Sequence, residues 1–204
     1  MLESRGPLPR EFYARPTLDV ARDLIGKRLV HRVGSSRTSG LIVEAEAYIG
    51  EDDPACHAAP GPTPRNAPLY GPPGFAYVYF NYGVHYLFNA VTGEEGHPAA
   101  VLIRALEPSE GLDLMRARRL CHASSRKTPI SDTGLCRGPG NLTRALGIDL
   151  RQNRCDLTGP RVWIEDPGES RGPLAWGPRV GIRVGLDRHW RVYVQGHPCV
   201  SRPR

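Results

Sequence analysis

Paired cysteines and long apolar runs are missing from this sequence of 204 residues. Its five cysteines form no Cys-X-X-Cys pair, and their odd number argues against a disulfide framework and against a structural zinc site. Reduced thiols are typical of a cytosolic protein. No apolar stretch approaches the roughly 20 residues that a membrane span needs, and the first residues lack the apolar core of a secretory signal. These absences predict a cytoplasmic protein without membrane attachment.

Lysine is also scarce. Of 27 basic residues only Lys27 and Lys127 are lysines, and the formal net charge is +6. A positive balance suits a polyanionic partner such as nucleic acid, but many small soluble proteins are mildly basic. Arginine offers planar forks that match phosphate groups. The charge therefore permits a nucleic acid partner without identifying one.

Hydrophobic patterns predict a mixed α+β chain. Helices are expected at 17–25, 109–119 and 142–146, and strands at 29–33, 41–48, 75–80, 84–91, 99–104, 162–164, 179–184 and 190–194. Because neither an internal repeat nor a linker is evident, we expect one domain over residues 1–204, with 1–15 as a lead-in segment. The predicted fold is a curved, mostly antiparallel sheet flanked by short helices, with a protruding β-hairpin.

Residues 43–48, Val-Glu-Ala-Glu-Ala-Tyr, place two carboxyl groups on an apolar strand. Because alternate side chains of a strand share a face, Glu44, Glu46 and Tyr48 point the same way. A solvent-exposed sheet face is the simpler interpretation of this segment alone. The alternative is a general base beside an aromatic wall.

A second group of candidates lies in the proline-rich loop 49–74 and the hairpin after it. A loop this long in a compact domain is usually functional or disordered. His57 has no companion ligands at metal-binding spacing, so it is either a surface histidine or a neutral hydrogen-bonding group in a pocket. Tyr77 and Tyr79 share a strand face. Tyr82 lies at the hairpin tip, where it either folds back or contacts a partner, for example as a wedge between base pairs.

Further candidates are weaker when taken singly. Asn89 on the returning strand and Arg104 at the end of the next strand are placed to line the same pocket. The glycine-rich turn 138–141 either offers backbone N–H groups to a phosphate or only caps a helix. A cluster of arginines is either a phosphate-contacting face or a solvated one, and it comprises Arg116, Arg118, Arg119, Arg126 and Arg137.

Together these segments resemble the alkyladenine (3-methyladenine) DNA glycosylase family, in the form of a bacterial member. The matching motifs are Ile-Val-Glu-Ala-Glu-Ala-Tyr-Ile-Gly at 42–50, Asp-Pro-Ala-Cys-His at 53–57, Thr-Pro-Arg-Asn at 63–66, Tyr-Val-Tyr-Phe-Asn-Tyr-Gly at 77–83, Val-Leu-Ile-Arg-Ala-Leu-Glu-Pro at 101–108 and Leu-Cys-Arg-Gly-Pro-Gly-Asn-Leu at 135–142. Shorter matches follow at 179–182 and 193–194. Residues 120–134 and 165–178 carry little resemblance, so their roles stay unassigned.

The resemblance implies a role for each matching residue in the pocket. Glu46 corresponds to the general base, and Arg104 corresponds to a residue beside the catalytic water. Tyr48 and Tyr79 correspond to side chains that stack on a flipped base. His57 corresponds to a side chain that holds the same base by a hydrogen bond.

Three further roles follow from the same resemblance. Asn89 corresponds to the residue that excludes normal guanine by crowding its exocyclic amine. Tyr82 corresponds to the residue that intercalates into DNA in place of the extruded nucleotide. Glu44 has no catalytic counterpart and is expected to be structural.

The implied activity is base-excision repair. The enzyme would flip alkylated or deaminated purines (3-methyladenine, hypoxanthine, ethenoadenine) from duplex DNA and hydrolyse the N-glycosidic bond, leaving an abasic site. Strand nicking needs an amine that forms a Schiff base; Lys27 and Lys127 lie outside the matched motifs, so we expect hydrolysis alone. Neither a metal nor an organic cofactor is implied. We expect a monomer that works on the nucleoid.

Two other functions fit parts of the sequence. A non-catalytic reader of damaged DNA or structured RNA would use the same basic charge and aromatic residues. A carbohydrate glycosidase would use Glu44 and Glu46 as a retaining pair. The lack of a second acid from another strand and the basic surface count against the glycosidase, whereas base release by the purified protein would exclude the reader.

Overall fold

The computed structural model of the chain describes residues 6–81, 83–121, 129–168 and 170–201. In these ranges the α-helices are α1 (Arg10–Tyr13), α2 (Thr17–Leu24), α3 (Leu112–Leu120), α4 (Asp132–Leu135) and α5 (Pro139–Leu146), and short 3-10 helices lie at Ala67–Tyr70 and Leu150–Gln152. The strands are β1 (Arg28–Val33), β2 (Ser36–Ile49), β3 (Ala76–Asn81), β4 (His85–Val91), β5 (Ala99–Glu110), β6 (Val162–Glu165), β7 (Leu174–Gly177) and β8 (Arg191–Val194).

The long strand β2 organises a single antiparallel sheet. The strand order is β3-β4-β5-β2-β1-β6. β5 pairs along most of one side of β2, whereas the other side pairs first with β1 and then with β8, which also carries β7. A strand that changes partners in this way makes the sheet curl. The predicted α+β class is confirmed, including the curved antiparallel sheet and the β3–β4 hairpin.

The helices cover one face of the sheet and form the main core with it. Leu142, Ala145 and Leu146 of α5 are fully buried, at the spacing of one helix face. α2 contributes Val20, Ala21 and Leu24 in the same way. Because Val43, Ala45 and Ala47 of β2 point into this core, the alternate residues of that strand are left to the opposite face.

Some predicted boundaries are wrong. The second strand was predicted to begin at 41, but β2 already begins at Ser36, so the turn after β1 is much shorter than the gap between the two predicted strands. β5 extends to Glu110, so the helix predicted from 109 begins later, as α3. The strand predicted at 179–184 is absent, since Gly181 and Gly185 both have positive φ angles that interrupt extended backbone. β7 falls in a stretch for which no element was predicted.

The described part of the predicted lead-in segment is packed against the domain. Tyr13 at the end of α1 is fully buried. The N–H of Leu8 donates to the carbonyl of Ile164 at 2.7 Å, which ties this segment to β6. Within the described residues, no helix has both the length and the apolar character needed to cross a membrane.

The junction between β5 and α3 depends on one glycine. Gly111 has φ +72°, and a Cβ atom there would lie 2.5 Å from the carbonyl oxygen of Arg37. Gly93 has a similar φ of +78°, but a Cβ atom there would meet no atom within 4 Å. An alanine at Gly93 would therefore suffer only from the strained backbone, whereas an alanine at Gly111 would also overlap neighbouring atoms.

Replacing Gly111 with alanine is expected to destabilise the fold more than the same change at Gly93. Gly93→Ala should lower the free energy of unfolding by about 1–2 kcal/mol through the left-handed backbone alone. Gly111→Ala should lose a further amount of about 1–3 kcal/mol because the methyl group overlaps backbone. Urea unfolding of both variants measures this difference, and equal losses would contradict the close approach to Arg37.

Candidate active site

Glu46 is buried on the sheet face opposite the main core. Its side chain is 0% exposed. Its Oε1 accepts a hydrogen bond from the backbone N–H of Val180 at 2.6 Å, and its Oε2 accepts from the Tyr48 hydroxyl at 2.9 Å and from Nη1 of Arg104 at 3.2 Å. The solvent-exposed sheet face, which was the simpler interpretation of residues 43–48, is therefore wrong for Glu46.

The surroundings of Glu46 act on its pKa in both directions. Burial is the largest effect and raises the pKa, because it removes water from the charged form. The Arg104 charge, the Val180 N–H and the Tyr48 hydroxyl all lower it, but burial prevails. The result is a carboxylate held in a fixed orientation with a raised pKa, as suits a proton acceptor near neutral pH.

Glu44 lies on the same face but is engaged differently. Its Oε1 accepts from Nε of Arg104 at 3.0 Å, from Nε of Arg191 at 2.7 Å and from the Ser201 hydroxyl at 2.7 Å, and its Oε2 accepts from the Ser201 backbone N–H at 2.7 Å. Four donors occupy the usual capacity of a carboxylate. Glu44 is thus a structural anchor for neighbouring charges, which argues against a retaining glycosidase pair.

Arg104 reaches both carboxylates because it lies on their face of the sheet. Glu46 pairs with Leu102, and alternate residues of a strand share a face, so Arg104 points the same way as Leu102. The β2–β5 ladder also has a bulge beside Glu44, and bulges are common beside active sites. The Arg104 side chain is almost fully buried and contacts Glu44 and Glu46 at once.

An aromatic cluster lies on the same side of the sheet. The rings of Tyr77 and Tyr79 stack with centroids 5.2 Å apart, and the His57 ring meets Tyr79 edge-on at 4.4 Å. Nδ1 of His57 forms a 2.9 Å hydrogen bond with the Tyr77 hydroxyl. Burial lowers the pKa of His57, and so does the charge of Arg65. The imidazole is therefore neutral near pH 7.

The sheet register brings Asn89 to this face. Tyr77 pairs with Asn89, Asn89 with Leu102 and Leu102 with Glu46, so these residues form one row across the sheet. Asn89 is buried, and its Nδ2 donates to the Tyr77 carbonyl at 2.9 Å. Two strand spacings separate it from Glu46, which is roughly 10 Å.

The loop that carries His57 is held by a residue to which the sequence pointed only as part of a motif. Asn66 is buried, and its Nδ2 donates to the carbonyl oxygens of His57 at 2.8 Å and Gly61 at 2.9 Å. Its Oδ1 accepts from the Thr63 N–H at 2.6 Å. One asparagine side chain therefore fixes the turn that presents the histidine.

Comparisons with known proteins identify the family of the chain. Residues 11–198 match the family model described as methylpurine-DNA glycosylase (MPG). The chain belongs to this family. It is 47% identical over 199 residues to a protein of Burkholderia lata, with 96% of this chain and 91% of that protein covered. It is 46% identical over 198 residues to one of Clostridium acetobutylicum, with 95% and 97% covered.

A third relative shows the same extent of similarity. The chain is 48% identical over 200 residues to a protein of Anaeromyxobacter dehalogenans, with 96% of this chain and 87% of that protein covered. All three relatives are named as candidate 3-methyladenine DNA glycosylases. The family suggested by the sequence motifs is confirmed.

Some family positions cannot be placed in the same way. Tyr82 lies outside the described residues, so its role stays a prediction; Phe80 near the end of β3 and Val84 just before β4 have exposed side chains. Lys127 also lies outside them, and Lys27 forms a 2.6 Å ion pair with Asp166. Within the described ranges, no cluster of three or more His, Cys, Asp or Glu side chains is arranged to hold a metal ion.

The sequence did not single out several residues that complete the site. Val180 contributes a backbone N–H, Ser201 donates two hydrogen bonds to Glu44, and Arg179 forms a buried ion pair with Asp53. These contacts join parts of the chain more than 120 residues apart. The motif matches at 53–57 and 179–182 were the only signals for any of them.

Replacing Glu44 with glutamine is expected to destabilise the protein strongly. The glutamine amide has one acceptor oxygen, so it cannot accept hydrogen bonds from Arg104, Arg191 and Ser201 together. Removing one partner of a buried ion pair costs about 3–5 kcal/mol. Urea unfolding measures the loss. Glu107→Gln is the control, because among the described residues that half-exposed carboxylate forms an ion pair only with His197, at 3.4 Å, and its loss should cost less than about 1 kcal/mol. Similar values for both variants would contradict the anchoring role of Glu44.

Proposed function

We propose that this member of the methylpurine-DNA glycosylase family hydrolyses the N-glycosidic bond of alkylated or deaminated purines in duplex DNA and leaves an abasic site. The observation that carries the proposal is the buried Glu46 carboxylate, oriented by three donors on the sheet face that also bears the aromatic cluster. Family membership supports DNA as the substrate and repair as the setting.

Glu46 would act as the general base toward water. A carboxylate accepts about four hydrogen bonds, so the three protein donors still allow it to accept one from a water molecule. As the bond to the purine breaks, the sugar gains oxocarbenium character, and a nearby carboxylate stabilises that positive charge. Arg104 would hold the Glu46 carboxylate in place. By the family resemblance, Arg104 also lies beside the attacking water.

The aromatic cluster would hold the extruded base. Stacking of a base on an aromatic side chain is worth roughly 1–3 kcal/mol, and Tyr48 and Tyr79 are the proposed stacking partners. A purine alkylated on a ring nitrogen is cationic, and electron-rich aromatic faces favour cations. Neutral His57 would form a hydrogen bond with the extruded base. Asn89 would exclude normal guanine by crowding the exocyclic amine of that base.

Access to the sugar carbon requires that the nucleotide leave the helix. Flipping costs a few kcal/mol, and less for a damaged or mispaired base. We propose that Tyr82, which lies between β3 and β4 in the sequence, intercalates in its place. 3-Methyladenine, hypoxanthine and ethenoadenine are the proposed substrates, and the abasic site is the final product because no lysine is assigned to Schiff-base chemistry.

We also propose the setting in which the enzyme works. Residues 1–204 would act as one glycosylase domain and as a monomer. The net charge of +6 would favour approach to the DNA phosphates. The proposed location is the cytoplasm, at the nucleoid, and the proposed reaction uses neither a metal nor an organic cofactor.

Replacing Glu46 with glutamine tests the proposed chemistry. Loss of the general base should slow release of hypoxanthine or ethenoadenine from a duplex by about 100-fold or more, measured under single-turnover conditions. Glu107→Gln, which changes a half-exposed carboxylate, should release base at the wild-type rate. Release by Glu46→Gln at the wild-type rate would make the mechanism wrong, and wild-type protein that binds damaged duplex without releasing base would favour a non-catalytic reader.

Replacing Tyr82 with alanine tests the proposed wedge. Loss of one stacking contact should weaken binding to lesion-containing duplex by roughly 5- to 100-fold, without a change in the unfolding midpoint. Tyr82→Phe keeps the ring and is the matched control. Unchanged binding and excision by Tyr82→Ala would exclude the wedge.

A further inference from the structure

A buried ion pair lies beside the proposed site but takes no part in the chemistry described so far. Nη2 of Arg179 donates to Oδ1 of Asp53 at 2.8 Å and its Nη1 donates to Oδ2 at 2.5 Å. Both side chains are 0% exposed. A two-pronged contact between a planar guanidinium and a carboxylate fixes the orientation of both groups.

Asp53 connects this pair to the loop that carries His57. Its Oδ1 also accepts from the Ala55 N–H at 3.2 Å, and its carbonyl oxygen accepts from the Cys56 N–H at 2.8 Å. These bonds form the first turn of the loop, immediately before the histidine. Movement of the Asp53 carboxylate would therefore move the backbone that leads to His57.

Arg179 connects the pair to the end of β2. Its Nη1 donates to the Ala47 carbonyl at 3.1 Å, and its guanidinium lies over the Tyr48 ring at 4.7 Å and over the Trp190 ring at 5.3 Å. The guanidinium thus occupies one face of Tyr48 and limits the positions open to its ring. A flipped base that stacks on Tyr48 would have to use the other face.

The residue after Arg179 reaches Glu46. The Val180 N–H donates to Oε1 of Glu46 at 2.6 Å. No regular strand supports this backbone, because residues 178–190 contain none. The Arg179 side chain therefore anchors the backbone beside the Val180 N–H, together with a 3.5 Å hydrogen bond from Nη1 of Arg104 to the Val180 carbonyl.

We propose that the Asp53–Arg179 ion pair is a positioning element that sets the His57 loop, the Tyr48 ring and the Glu46 carboxylate in one fixed arrangement. This inference rests on the proposed function of Glu46 as general base. Neither Asp53 nor Arg179 needs to touch the substrate for this role. A buried ion pair contributes little net stability compared with apolar packing, so its value here lies in orientation.

The pH dependence of excision reports on the contact between Val180 and Glu46. That N–H lowers the pKa of Glu46, so its displacement raises the pKa further and the active carboxylate is lost at a higher pH. The acid limb of the pH–rate profile then moves to higher pH. The charged and titratable groups around Glu46 are Glu44 and Tyr48 on β2, Tyr79 on β3, Arg104 on β5, Arg191 on β8, and Arg179.

The test compares Arg179→Met with Arg10→Met. Arg10 forms a similar set of contacts elsewhere: an ion pair with Asp156 at 2.6 Å, a hydrogen bond to the Pro73 carbonyl at 2.8 Å and a stack on Phe75 at 4.8 Å. Single-turnover excision, affinity for lesion-containing duplex and thermal unfolding are measured for both variants from about pH 4 to about pH 9. This range covers the pH values over which glutamate and histidine side chains titrate.

Arg179→Met is expected to slow excision by about 10- to 100-fold, the loss that follows small misplacements of catalytic groups, and to move the acid limb to higher pH. Arg10→Met should change neither. Arg179→Lys, which keeps the charge but not the fork, should recover the rate only in part. If Arg179→Met does not fold, Arg179→Lys and Asp53→Asn carry the same comparison.

The outcomes separate the two proposals. An unchanged rate and acid limb in a folded Arg179 variant, beside an active wild type, would overturn the positioning role and leave the proposed function intact. Equal effects of Arg179→Met and Arg10→Met on the pH profile would also overturn it, because a general loss of stability would then suffice. Absence of base release by the wild type would contradict the proposed function itself.

Discussion

The structure depends on keeping one carboxylate charged inside the protein. Glu46 is removed from solvent, and an isolated charge in that position would be too costly to maintain. A guanidinium, a phenol and a backbone N–H together offset that cost, each from a different part of the fold. The same burial that makes these partners necessary raises the pKa of the group and excludes competing water. Stability and chemistry at this site therefore follow from one arrangement.

A second carboxylate, that of Glu44, helps to position the donors of Glu46. Glu44 accepts hydrogen bonds from Arg104, Arg191 and Ser201, and Arg104 also donates to Glu46. The β2–β5 register makes this sharing possible: Glu46 pairs with Leu102, and strand alternation places Arg104 on the same face as Leu102. Two glutamates two residues apart thus have separate roles, one as an anchor for arginine and one as the proposed base.

The sequence predicts some of this site and misses the rest for physical reasons. Strand alternation alone places Glu44, Glu46 and Tyr48 on one face, but it carries no information about what covers that face, so an exposed sheet was the simpler interpretation. His57 became a pocket residue only through the family resemblance. Arg179 and Ser201 escaped notice because their partners lie far away in sequence, and alternation at 179–184 predicted a strand where two glycines prevent one.

The pH dependence of wild-type excision tests the central claim most directly. With a cationic lesion such as 3-methyladenine in duplex DNA, the purine needs no protonation to leave. The acid limb of the pH–rate profile therefore reports on the protonation of Glu46. We expect the single-turnover rate to fall as the pH drops through an apparent pKa above the ordinary glutamate value, because burial raises the pKa of Glu46. A rate that stays constant or rises through that range would contradict a buried carboxylate as the proton acceptor.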